Sequence, residues 1–192
     1  MRYVVTAVAS RIKGVKYLIE HIPELEVVWD RVQDPMETFL RASEHTGDDP
    51  VIRLEDDAIL TVGFLEKASR VIEAHPDNVA QFFSRSKYDV SLGSRWKSGR
   101  SYLCNVGYYM PEGMMRRILE HYWSDNWDRG KHRNGTDTLI GHALGHMKHR
   151  YWVEVPSLVD HGHIKSAIDP RRSTKRQSTT FVEPELRNYP YA

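Results

Sequence analysis

Cysteine is nearly absent. Cys104 is the only one in 192 residues, so no intrachain disulfide can form. That fits a reducing compartment, and the expected location is the cytoplasm. Long hydrophobic runs are also missing. No apolar stretch reaches the length of a membrane span and the N-terminus lacks a signal-peptide pattern, so a soluble, unexported chain is expected. Neither sign of charge is in excess. Twenty-seven Lys and Arg face 26 Asp and Glu, a net +1, which removes any global electrostatic case for a nucleic-acid or membrane partner. There is no Gly-rich phosphate loop, no complete dinucleotide Gly fingerprint and no Gly-x-Ser-x-Gly elbow. Kinase, dehydrogenase and serine-hydrolase chemistries therefore fall away. Internal repeats are absent.

The remaining composition is that of one globular domain with a real core, 40% hydrophobic and 28% charged. One stretch stands apart, Val51-Ile52-Arg53-Leu54-Glu55-Asp56-Asp57. A short apolar run reads as a buried strand, yet it ends in three adjacent acids. Like charges this close repel, and burying any of them without a partner is costly. A divalent cation relieves that repulsion, because carboxylate oxygens are the natural ligands of hard ions. The plain alternative is a solvated strand end.

The chain before it alternates. Tyr3 to Val8 is β-rich, and Lys13 to His21 carries Val15, Leu18 and Ile19 at helical spacing. Leu25 to Trp29 reads as a second strand closing on Asp30. Asp34 then suits an N-cap, with Pro35 at the first helical position. Strand, helix, strand, helix, strand argues for an α/β fold built on a mostly parallel sheet flanked by helices. In such sheets ligands bind beyond the carboxyl ends of the strands, where Ser10-Arg11, Asp30 and Glu55-Asp56-Asp57 all fall. Further along, Phe64 to Ala74 reads as a helix and Asn78 to Phe83 as a strand. Residues 85 to 100 read as a long polar loop around Trp96, and Tyr102 to Met110 as a strand in which Asn105 and Gly107 suggest a bend or a close ligand approach. A helix opens at Pro111, another spans Thr136 to His146, and Tyr151 to Val155 is the last expected strand.

The ordered set of Leu54-Glu55-Asp56-Asp57, Gly107-Tyr108-Tyr109-Met110-Pro111, Gly135-Thr136-Asp137 and Pro156-Ser157-Leu158-Val159-Asp160-His161 resembles a GT-A-fold (Rossmann-like) glycosyltransferase. It is similar to the lipopolysaccharide and procollagen galactosyltransferase type, and to small glycosyltransferases encoded by bacteriophages. The resemblance implies a single catalytic domain over 1–163 and a basic C-terminal segment over 164–192 that packs on or closes over the site. It implies Mn²⁺ or Mg²⁺ held by Asp57, with Glu55 or Asp56 on the ribose, the sugar or a metal-bound water. His161 is the favoured further ligand because it directly follows the last strand; His163 is the other candidate, and a surface His the plain reading. Thr6, Ala7 and Arg11 would meet the nucleotide of a nucleoside-diphosphate donor, expected to be a UDP-sugar. Asp30 would accept bonds from base or ribose, or simply cap its loop. Lys165 and Ser166 suit a diphosphate, or belong to a solvated basic tail that continues through Arg176. Asp137 would be the general base for the acceptor hydroxyl in an inverting transfer, or a helix cap. The phage resemblance implies a hydroxymethylated base in phage DNA as acceptor, in the host cytoplasm; a glycan or protein is the alternative.

Two rival readings come from the residues. His142 and His146, four apart, could bind zinc in a hydrolase, although the Glu of the zinc-protease helix is missing. The basic stretch around Trp96 and the C-terminal cations could make a nucleic-acid-binding module without catalysis.

Overall fold

A computed structural model describes residues 1–131, 135–162, 164 and 176–188. In chain order the elements are β1 (Arg2–Ala7), α1 (Ile12–His21), β2 (Glu26–Trp29), α2 (Pro35–Thr46), β3 (Val51–Glu55), β4 (Ala58–Leu60), α3 (Phe64–Ala74), β5 (Ala80–Gln81), α4 (Asp89–Leu92), β6 (Arg95–Ser98), β7 (Gly107–Met110), α5 (Met114–Trp123), α6 (Thr136–His146), β8 (Arg150–Val153) and β9 (Val159–His161). Seven strands form one sheet in the order β2-β1-β3-β7-β5-β8-β6, and β4 pairs with β9 in a separate two-stranded sheet.

The expected α/β class holds, but the sheet is more mixed than expected. β2, β1 and β3 are parallel neighbours, as are β5 and β8. β7 is antiparallel to both β3 and β5, and β6 is antiparallel to β8. Residue pattern marks a strand without marking its direction, so these two reversals could not be read ahead.

Helices cover both faces. α1 and α3 bury Tyr17, Leu18, Phe64, Ala68, Val71 and Ile72 against Ile52 and Leu54 on one side. α2, α5 and α6 bury Phe39, Met115, Ile118, Ile140 and Leu144 against Val4, Val51 and Tyr108 on the other. The start of α2 follows the expected chemistry. Pro35 opens it, and the Asp34 carboxylate accepts from the amides of Met36 at 2.9 Å and Glu37 at 3.1 Å. Ile19, expected on the apolar face of α1, is 40% exposed, and Gly14, Val15, Tyr17 and Leu18 make that face instead.

Arg53 is a cation inside a buried strand. Its guanidinium donates to Ser43 Oγ at 2.8 Å and lies 4.6 Å over the Phe39 ring. The stretch from 85 to 100, expected as loop, holds α4 and the edge strand β6. Trp96 packs on Trp152 and His75, while Arg95 and Lys97 turn to the buried Asp89. Among the described residues no helix is long and apolar enough to cross a membrane.

Candidate active site

β1 lies between β2 and β3, and the chain crosses from one side of it to the other. That is a topological switch point, where the carboxyl ends of parallel strands leave a crevice. The register fixes what lines it. Ala7 pairs with Trp29 and Thr6 with Glu55, so the ends of β1, β2 and β3 are level. The Asp30 amide donates to the Ala7 carbonyl at 2.6 Å, which carries Asp30 to the same edge. A cleft of about 280 Å³ opens there. It is lined by Thr6, Ala7, Arg11, Asp30, Glu55, Asp56, Asp57, Asp137 and His161, every described residue that the resemblance assigns to the metal, the nucleotide or the acceptor. Lys165, Ser166 and His163 lie outside the described residues.

The three acids do different work. β3 ends at Glu55, and Asp56-Asp57 form a turn that carries the chain out of the main sheet into β4. β9 then runs back along β4, with His161 opposite Ala58, one residue past Asp57. The Gly162 amide donates to the Asp57 carbonyl at 2.8 Å and secures that end. This pairing brings together side chains separated by more than half the chain. Ligand atoms of Glu55, Asp57 and His161 all lie within 4.8 Å of one another. Asp56 turns away. Its carboxylate accepts from the Val8 amide at 2.7 Å and from Arg11 Nη1 at 2.6 Å. Arg11 also sits 2.8 Å from Asp57. Although Arg11 lines the cleft, its buried guanidinium compensates two carboxylates.

The electrostatics match this division. Burial, reinforced by the Asp57 charge, pushes the Glu55 carboxyl up to about 7. Burial acts the same way on Asp57, but His161 and Arg11 outweigh it and hold that carboxyl well below the usual range. Burial would lower the His161 imidazole; the Asp57 carboxylate overrides it and raises it.

Do these residues fit a metal? Among the described residues Asp57 Oδ1 is buried without a hydrogen bond, 3.4 Å from His161 Nδ1. The Glu55 carboxylate has no hydrogen-bond partner among the described residues and faces the cleft. Two carboxylates and one imidazole suit Mn²⁺ better than Mg²⁺, which favours oxygen alone. The donor set fits a divalent ion, with Glu55 rather than Asp56 completing it. The resemblance gives Glu55 or Asp56 a contact to the ribose, the sugar or a metal-bound water; the Asp56-Asp57 turn sends Asp56 to Val8 and Arg11 and leaves Glu55 beside Asp57 and His161.

Asp30 lines the cleft and also caps its own loop, accepting from the amides of Val32 at 3.0 Å and Asp34 at 3.3 Å. At the far end, Asp137 accepts from the amides of Cys104 at 3.2 Å and Thr138 at 2.9 Å. Cys104 takes a left-handed φ of 70° to present that amide, a costly conformation for a residue with a Cβ. Asn105, where the sequence suggests a bend or a close ligand approach, is a further polar residue of the site. It is 6% exposed and lines the cleft. Its Nδ2 donates to Thr136 Oγ1 at 2.9 Å, and its Oδ1 has no hydrogen-bond partner among the described residues. Arg85 and Arg176 also line the cleft. Gly107, suspected with Asn105, serves packing instead: a Cβ there would lie 2.8 Å from Val159 Cγ2.

The zinc reading finds no support in the arrangement. His142 and His146 are exposed on α6, and His142 Nδ1 is hydrogen-bonded to His121 Nε2 at 2.8 Å. Among the described residues only Glu55, Asp57 and His161 converge as a ligand group.

No family model and no curated protein matches the sequence. Among solved structures, the crystal structure of A197 from STIV aligns over 90% of this chain and 92% of that one, at 14% identity and a TM-score of 0.49. A likeness that remote carries over neither fold family nor activity.

Proposed function

We propose that this chain is a metal-dependent glycosyltransferase of GT-A type. It would move a sugar from a nucleoside diphosphate, with a UDP-sugar as the first candidate, to a hydroxyl acceptor. The observation that carries the reading is the convergence of Glu55, Asp57 and His161 in a cleft at the switch point of the sheet. A bound Mn²⁺ would act there as a Lewis acid for the leaving diphosphate.

The chain's own residues divide the remaining work along the cleft. Thr6, Ala7 and Asp30 form the end suited to a nucleoside, where Asp30 offers a carboxylate oxygen to base or ribose. Arg85 and Arg176 offer cations to phosphate oxygens. Arg11 holds Asp56 and Asp57 close without mutual repulsion. Asp137 stands at the other end. Two backbone amides fix its carboxylate, and remaining lone pairs are available to take a proton from the acceptor hydroxyl. If configuration is retained, the same carboxylate orients the acceptor instead. Asn105 Oδ1 is placed to accept a hydrogen bond from a sugar hydroxyl. The acceptor's identity, including the modified DNA base implied by the phage resemblance, rests on that resemblance alone.

The test is thermal stabilisation by a panel of nucleotide sugars with and without Mn²⁺. At least one donor should raise the melting temperature only when Mn²⁺ is present. A panel in which no donor does so would remove the reading.

A further inference from the structure

The C-terminal residues 176–188 are tied down as a strap against the back of the metal group. Phe181 is buried in the main core, and the Glu183 carboxylate accepts from the Val62 amide at 3.0 Å. Ser178 Oγ reaches Ser157 Oγ at 2.8 Å, and Ser157 Oγ accepts from the Ser84 amide at 3.0 Å. The centre of this network is Asp160, which is fully buried. One oxygen accepts from the amides of His161 at 2.8 Å and Ser178 at 2.7 Å. The other accepts from Arg187 Nε at 2.6 Å, while Arg187 Nη2 donates to the Ser178 carbonyl at 3.2 Å.

Asp160 and His161 are consecutive on β9, so they point to opposite sides of it. The ladder that holds them is only three pairs long, in a sheet of two strands. Such a pair is marginal on its own. A slip of one residue would turn His161 away from Asp57 and bring Asp160 to the cleft side. Backbone bonds at its two ends, Gly162 to Asp57 at 2.8 Å and Thr61 to Leu158 at 2.9 Å, extend that short ladder. The ion pair behind it adds a charged lock, because a slipped Asp160 would lose Arg187 and leave a guanidinium without its carboxylate.

We propose that Arg187 is a positioning residue for the metal group. Through Asp160 it locks the register of β9 and so the place of His161, which makes the strap part of the site. This rests on the metal reading above, applied to residues outside the ligand set.

The test is Mn²⁺ titration of the full chain by calorimetry, beside metal-free melting curves. Wild type is measured first; if it takes up no Mn²⁺, the metal reading fails before Arg187 is questioned. Arg187→Ala should bind Mn²⁺ about 10- to 100-fold more weakly, the usual cost of removing an outer-shell partner. Arg187→Lys restores one charged donor to Asp160 and should recover part of the affinity. Met115→Ala is the control for stability alone, since Met115 is buried in the cluster on the opposite face of the sheet. It should lower the melting temperature and leave Mn²⁺ affinity unchanged. Wild-type affinity in Arg187→Ala, or an equal loss in Met115→Ala, overturns the proposal. Should Arg187→Ala fail to fold, Arg187→Gln keeps a neutral donor and must still bind more weakly than wild type; unchanged affinity there overturns it too.

Discussion

Arg11 offers the sharpest test of how the acidic turn is tolerated. Its side chain is 9% exposed, and those of Asp56 and Asp57 are 7% and 10% exposed, with contacts of 2.6 and 2.8 Å. At an effective dielectric of about 20, each contact is worth roughly 6 kcal/mol before desolvation. Taking the guanidinium and two carboxylates out of water consumes most of that, several kcal/mol per ion. Removing the cation alone still leaves two carboxylates buried side by side, their desolvation offset only in part by contacts such as the Val8 amide on Asp56 and His161 beside Asp57. Arg11→Leu keeps the stem and deletes the charge, and should cost about 3–5 kcal/mol in the metal-free protein. For a chain of this length that lowers the melting temperature by roughly 6–20 °C. Urea unfolding in a chelator measures it directly. Asp56→Asn in the Arg11→Leu background should return part of the loss, because one of the two stranded charges is gone. A loss under about 1 kcal/mol, the range of an exposed ion pair, would refute the argument.

Three further outcomes are expected. Asp57→Asn should abolish sugar transfer while circular dichroism shows the fold retained; full activity would remove Asp57 from the metal group. Asp137→Ala should lower kcat by about 10²–10⁴-fold with nucleotide affinity unchanged, and a normal rate rules it out as the base. Asp89 should make stability depend on acid. Burial pushes its carboxyl up, but hydrogen bonds from Lys97 and Ser84 and the Lys97 charge hold it below the usual range. A carboxyl lowered on folding adds stability that is full above its unfolded pKa of about 3.9 and lost as pH falls through the lower folded value. The urea midpoint of Asp89→Asn should therefore lie well below wild type at neutral pH and converge on it in acid, whereas a constant gap excludes the linkage.

The first half of the chain was legible because its signals are local and redundant. Asp34-Pro35 spells a helix start, and three apolar runs separated by helix-length segments spell parallel strands whose carboxyl ends share an edge. That logic puts Arg11, Asp30 and Glu55 on one sheet edge. β4 and β9 were not legible, because Ala-Ile-Leu and Val-Asp-His are too short for any period to show. Their pairing depends on residues about a hundred positions apart. The resemblance therefore nominates His161 as following the last strand, whereas His161 is the last residue of β9 itself. β6 was missed because its polar residues look like loop, and only the buried Asp89 explains why Arg95 and Lys97 turn inward. The unpartnered Asn105 Oδ1 has no signature in sequence, since satisfaction of a polar atom depends on everything around it.

The position of the acidic turn connects these points. Glu55 is the last residue of β3 in the main sheet and Asp57 the last before β4, so the ligand group straddles the seam between two sheets. Tyr17 from α1 spans the same seam, with its hydroxyl accepting from the Leu60 amide at 3.0 Å. A site wholly within the large sheet would inherit its rigidity from neighbouring ladders. One at a seam depends on whatever fixes the small sheet against the large one. Here that is Arg11 in front, Tyr17 beneath and the Asp160–Arg187 pair behind. Arg11 also contacts Asp57 directly, but Tyr17 and Arg187 can be removed without touching Glu55, Asp57 or His161. If the seam governs the site, substitutions at Tyr17 and Arg187 should weaken metal binding while core substitutions of equal cost to stability do not.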